Sequence, residues 1–251
     1  MSPKSIPPFR RRRLGRRIRE LREGARMTLE VAAKALDMNR FTLARLESGA
    51  NKMDVHLARS MMDVYDCYDS ELLDEVRKAV PPGWWTQYGI RDRGYIDMET
   101  EASHVREFSV INVPGLLQTE EYTRSLLAAG PAAWTDEQLA NHVRARRVRQ
   151  RRLVDVDFPL HYQAVIDEAV LHRQVGGRAL MAAQCAHIVA RAQLPTVDLR
   201  VVPFGAGAHV GMDGAFIVLG FPEGEDHDIA YIAYPTGLRI SSGSVKSPKL
   251  G

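Results

Sequence analysis

Thr28-Leu29-Glu30-Val31-Ala32-Ala33-Lys34-Ala35-Leu36-Asp37-Met38-Asn39-Arg40-Phe41-Thr42-Leu43-Ala44-Arg45-Leu46-Glu47-Ser48-Gly49 is the stretch whose reading decides the fold. Thr28 is a good N-cap for a helix running to about Leu36. Asn39 caps a second helix, Arg40–Glu47, with Leu43 and Leu46 inward and Gly49 as its stop. Only Asp37 and Met38 join them, so the two helices are too close in sequence to lie antiparallel. Ala32 and Ala33 let them cross closely, and Leu36, Leu43 and Leu46 supply the apolar wedge. This spacing predicts a helix-turn-helix, whose second helix enters the major groove of DNA with its first residues at base edges. The plain alternative is an ordinary αα corner.

Charge separates the two readings. Residues 1–60 carry 15 Lys/Arg against 6 Asp/Glu, a balance of +9, while residues 61–251 carry 19 against 25, a balance of −6. A basic head on an acidic body is the asymmetry of a chain that meets nucleic acid through the head alone. Around the pair, Leu14–Glu23, Val55–Tyr65 and Glu71–Val80 have amphipathic helical spacing, which makes five helices before the break at Pro81-Pro82-Gly83. Pro3, Pro7 and Pro8 predict that residues 1–13 form a flexible arm ahead of the head at 14–80. The arm's run Arg10, Arg11, Arg12 and Arg13 either tracks phosphates or is a solvated tail.

Beyond the break, Met98–Val110, Thr119–Ala129, Thr135–Leu153 and Gly177–Gln193 have helical patterns. Leu160–Ile166, Val197–Val202, Ala215–Leu219 and Ile229–Ala233 are strand-like. Mixed in this order they predict an α+β domain over 84–240, with the strand order open. The polar segment 241–251 has the composition of a disordered tail.

With 251 residues, the chain has the length of two domains. No run approaches the ~18 apolar residues of a membrane span, and no apolar stretch follows the charged start, so a cytoplasmic location is expected. Cys67 and Cys185 are too few for a disulfide framework or a CxxC metal site. The eight histidines show neither HxH nor HxxxH spacing, and GxSxG and phosphate loops are missing. Neither metal, cofactor nor catalysis is expected.

The segment Thr28–Ala33 followed by Asn39–Gly49 resembles the phage-repressor (XRE, Cro/C1-type) helix-turn-helix family. The resemblance implies a λ-repressor-like five-helix head in which Arg22 pairs with Glu47. It places base reading on Arg40, Phe41 and Arg45, with Asn39 and Thr42 beside them; Lys52 joins this DNA-contacting set. Arginine suits the task because its planar fork grips guanine O6 and N7. Phe41 either contacts a thymine methyl or wedges into the head's core. Leu29 stands where the family often has a backbone-touching Gln, and Asp37 where it usually has Gly.

Trp84-Trp85, Glu101-Ala102, Val113-Pro114-Gly115-Leu116-Leu117-Gln118-Thr119-Glu120-Glu121-Tyr122, Arg149-Gln150, Ile166–Leu171, Val175-Gly176-Gly177, Val202–His209 and Gly214-Ala215-Phe216 follow in order. That string is similar to the WhiJ-like regulators of actinomycetes, in which an XRE head carries a large domain of unassigned function. The resemblance spans roughly 84–234 and implies a small partner protein encoded alongside, links to development or antibiotic production, and an antitoxin-like description. The family usually continues past the Tyr231 strand into a further strand and an amphipathic helix, where this chain has a polar tail.

Three features of this domain invite a role. Gly205, Gly207 and Gly211 with His209 form a glycine-rich loop that is either a lid over a ligand or partner, or a plain connection. Glu168 and Arg173 either bind a charged group or pair with each other. Arg144, Arg146, Arg147, Arg149, Arg151 and Arg152 either touch DNA a second time or pack on the acidic body or an acidic partner. The sequence thus predicts a regulator that binds double-stranded DNA through its head, as a homodimer, and a small partner protein or ligand through its second domain. The alternative is an antitoxin-like module that neutralises an adjacent-encoded protein and controls its own operon. An enzyme tethered to a DNA-binding head is the third class.

Overall fold

The computed structural model describes residues 7–79, 81–90, 94–222, 227–234 and 237–242. The chain divides into two compact units, Met1–Thr86 with Arg91–Asp97, and Gln87–Ile90 with Met98–Gly251.

In the first unit the described residues form α1 (Phe9–Gly24), α2 (Leu29–Ala35), α3 (Arg40–Glu47), α4 (Val55–Val64) and α5 (Ser70–Ala79). Thr28, Asn39 and Asp54 cap α2, α3 and α4, each side chain accepting the N–H three residues on. Helices α1, α2 and α4 close in the same way. Arg26, Asp37 and Asp66 take positive φ, and the N–H after each returns to a carbonyl five residues back. Asp37, at φ 51°, therefore makes the left-handed stop that glycine would make with less strain. Leu14, Ile18, Ala32, Leu43, Leu46, Met61, Leu72 and Val76 form the core.

The expectation of a flexible arm over 1–13 is corrected from Phe9 onward, because Arg10–Arg13 form the first turns of α1. Pro8 lies at the N-cap, where no intrahelical N–H is required, so the prolines set the start of the helix instead of forbidding it. Tertiary contact holds it there. A Cβ on Gly15 would lie 2.5 Å from the Glu47 carbonyl oxygen, and one on Gly49 2.7 Å from the Arg12 nitrogen. Helix α1 thus crosses the end of α3 backbone to backbone. Residues 1–6 lie outside the described residues.

The second unit carries a mixed sheet and helices. Its strands are β1 (His104–Ser109), β2 (His161–Asp167), β3 (Val197–Val202), β4 (Phe216–Gly220), β5 (Ile229–Tyr234) and β6 (Gly237–Ser242), in the spatial order β3-β2-β1-β4-β5-β6. β1, β2 and β3 run parallel, and β4, β5 and β6 pair antiparallel. Helices α7 (Glu120–Ala128), α8 (Asp136–Arg151), α9 (Ala169–His172) and α10 (Arg178–Arg191) intervene, and α6 (Tyr95–Glu101) belongs to this unit from Met98 onward.

The expected helix Met98–Val110 ends at Glu101, and the remainder is β1, a central strand. Pairing with β2 on one side and β4 on the other engages its backbone from His104 to Phe108, which outweighs the local helical pattern. Ser241 and Ser242 belong to β6, so the expected tail cannot begin before 243; residues 243–251 lie outside the described residues.

The stretch Val113–Thr119 has little regular structure, yet Val113, Leu116, Leu117 and Gln118 are buried. Its backbone groups must therefore find side-chain partners. Gln118 Nε2 donates to the Val113 carbonyl at 2.6 Å, and Gln150 Nε2 to those of Gly115 and Gln118. Gln184 donates to the Leu117 carbonyl and accepts from the Thr119 N–H, both at 2.7 Å. Three glutamines replace the missing ladder.

Candidate nucleic-acid interface

Helix α3 turns Leu43 and Leu46 into the core and leaves Arg40, Phe41, Arg45 and Ser48 exposed. With Ala44 between them they share one face, at helical spacing. Phe41 is 73% exposed, which removes the reading that it wedges into the core. The Arg40 guanidinium sits 5.7 Å from the Phe41 ring centre and 2.9 Å from the Glu30 carboxylate. Arg45 Nε donates to Asn51 Oδ1 at 2.9 Å. All these partners are local and solvated, so exchanging them for phosphate or base edges costs little.

Asn39 and Thr42 also hold the start of the helix. Asn39 Oδ1 accepts both the Thr42 N–H at 2.8 Å and its hydroxyl at 3.0 Å, so these side chains position the helix start. Lys52 is exposed past the end of α3. Of the basic run, Arg10 donates to the Lys78 carbonyl and Arg12 to that of Pro7, bonds that tie α1 to its surroundings.

Arg22 and Glu47 form a two-bond pair, Nε–Oε1 at 2.7 Å and Nη2–Oε2 at 3.0 Å. Their side chains are 8% and 7% exposed, and Arg22 Nη1 also donates to the Met27 carbonyl. The hydrogen bonds to Glu47 raise the Arg22 pKa, keeping the guanidinium charged despite its burial. The pair links the last turn of α1 to the last turn of α3, and it fixes the end of α3 against the core.

In the second unit the glycine-rich loop is pinned rather than lid-like. A Cβ on Gly211 would lie 2.3 Å from the Phe108 ring, His209 Nδ1 accepts the Gly211 N–H, and Glu168 accepts the Phe204 N–H at 2.7 Å. Gly205 and Gly207 are exposed, as are Phe204, Val210 and Met212. Glu168 bonds His172 at 3.1 Å, on the next turn, in place of the expected Arg173. The arginine run packs mostly on its own unit. Arg149 makes two bonds to Glu99 at 2.5 and 2.6 Å, Arg152 donates to the Glu99 and Ala102 carbonyls, and Arg147 pairs with Glu120. Glu107, missed from the sequence because it lies in the strand taken for a helix, accepts the Tyr162 hydroxyl at 2.7 Å. Desolvation pushes its carboxyl up to about 7, against the pull of that bond. No group of His, Cys, Asp and Glu able to hold a metal is found among the described residues, and no helix among them is long and apolar enough to cross a membrane.

A helix-turn-helix domain model matches residues 13–76, and that match supports DNA binding and transcription regulation by the head. Among solved structures, the clp gene regulator ClgR from C. glutamicum is similar over 32% of this chain and 100% of its own, at 23% identity and a TM-score of 0.26, too low to bear on the geometry. No curated protein matches the chain. The model of the domain of unknown function DUF5753 matches residues 92–249, well over half the chain. The chain belongs to the DUF5753 family, with a helix-turn-helix domain ahead of the domain that defines it.

Proposed function

We propose that this protein is a sequence-specific transcription regulator of the XRE type that inserts α3 into the major groove of double-stranded DNA. The observation that carries the reading is the exposed face Arg40-Phe41-Ala44-Arg45, held by a buried ion pair and a capped N-terminus. Arg40 and Arg45 read base edges, Phe41 meets a thymine methyl, and the basic start of α1, beside the end of α3, contacts phosphate. The DUF5753 unit is the regulatory part, which acts by binding a ligand or a small protein.

A genomic footprint identifies the site. Titrations of cognate and scrambled duplexes at several salt concentrations then test the readout. Arg40→Ala is expected to lose about 1–3 kcal/mol on the cognate duplex only, relaxing preference at one base pair. Equal losses on both duplexes remove Arg40 from base reading, and unchanged binding by both Arg40→Ala and Arg45→Ala removes α3 from the interface.

A further inference from the structure

At the start of the parallel strands the two sheet faces differ. Val105, Tyr162, Ala164 and Val197 are buried on one. On the other, the register aligns His104 with His161, Arg106 with Gln163, and Gln163 with Asp198. His104, His161 and Gln163 are exposed there. These side chains line a cleft of about 540 Å³, within the roughly 300–1,000 Å³ range of small-molecule sites.

The lining has a definite chemistry. The His104 and His161 rings stack, 5.0 Å between centres at 22°. His104 Nδ1 is engaged with the Ser103 hydroxyl at 2.9 Å, which leaves Nε2 as the ring's other hydrogen-bonding atom. Desolvation, His161 and Arg106 lower the His104 pKa, which favours the neutral ring. Arg106 is bonded to Asp228, and Asp198 to Arg200 at 3.2 Å. The cleft therefore has two stacked flat rings, an amide, and an ion pair that presents donor beside acceptor, its arginine already neutralised by Asp228. Glycine at 220 keeps the floor between His104 and Asp228 open, since a Cβ there would lie 3.4 Å from the His104 Cβ and 3.3 Å from Asp228 Oδ1.

We infer that this cleft is the effector site of the DUF5753 unit, and that its ligand is a planar, uncharged nitrogen heterocycle carrying a hydrogen-bond donor next to an acceptor. The ring lies against the histidine pair, and its polar edge meets Gln163 and the Arg106–Asp228 pair. The inference rests on reading the second unit as the ligand-binding part.

Cytidine and guanosine present such an edge, and inorganic phosphate is the anionic control. Each is titrated into the full chain without DNA, and the histidine ring signals are followed by ¹H–¹³C NMR, assigned with His104→Gln and His161→Gln. The expected result is a saturable shift of the His104 and His161 signals with at least one nucleoside, leaving the other six histidines unmoved. Gln163→Ala is expected to weaken it by about tenfold, the loss of one hydrogen bond. Saturation by phosphate instead, or no saturation with either nucleoside, overturns the proposal. A failure here leaves the DNA-binding reading standing, and a failure of the footprint leaves this titration unaffected.

Discussion

Replacing Glu47 with alanine leaves the Arg22 guanidinium buried without its counter-charge. Removing one partner of a buried pair costs about 3–5 kcal/mol, because the remaining charge keeps its desolvation penalty. Arg22 retains one bond, Nη1 to the Met27 carbonyl, and has Glu23 Oε1 at 3.4 Å as a poor substitute. The loss is therefore expected at the lower end, about 3 kcal/mol. Hydrogen exchange in the full chain reads it directly, since the Leu43 and Leu46 amides of α3 are released when the head opens. A loss of this size accelerates their exchange by roughly a hundredfold. Glu47→Gln loses the charge and keeps only one of the two acceptors, its –NH2 group facing an Arg22 N–H, so its effect falls between wild type and Glu47→Ala. The double change Arg22→Leu with Glu47→Leu is expected to cost much less than the sum of the single changes, because no orphaned charge remains. Acceleration below threefold in Glu47→Ala, or additive single changes, would refute the account of the pair as the lock on α3.

Gly15→Ala forces a Cβ against two carbonyl oxygens of α3 and is expected to destabilise the head by about 3 kcal/mol, whereas Gly24→Ala, with open space around it, gains about 0.5–1 kcal/mol; the same exchange experiment separates them. Gln184→Leu strands the Leu117 carbonyl and the Thr119 N–H, and a loss of about 2–3 kcal/mol is expected in denaturant unfolding of the second unit. Glu107 has its pKa raised from the ordinary ~4.3 to about 7, so below pH ~4 it is protonated in both folded and unfolded chains and has no influence. As pH rises toward 7 only the unfolded chain releases the proton, and the second unit loses stability. Glu107→Gln is expected to flatten that decline and to leave the mutant more stable than wild type at pH 8, as read by unfolding at several pH values.

The helix pair of the head was legible because its signals are local. Thr28 and Asn39 cap the helices they precede, Leu43 and Leu46 follow the helical period, and Asp37 sits where the chain turns left-handed. Four strands of the second unit were legible from short β-branched runs, within a residue or so of their ends. Strand β1 was not, because its identity depends on β2 and β4 lying on either side, a relation no window of sequence contains. The helical start of α1 escaped for a similar reason: prolines speak against a helix locally, and tertiary contacts, among them Gly15 and Gly49 packed on a second backbone, hold one there. At the interface, residue types alone nominated Arg40, Phe41 and Arg45. Exposure decided that Phe41 faces out, and hydrogen bonds decided that Asn39 and Thr42 serve the helix start. The His104–His161 cleft has no sequence signature, since its members come from separate strands aligned by register. Caps, periods and turns act over a few residues and can be read along the chain, whereas strand neighbours, close backbone crossings and clefts exist only once distant segments meet.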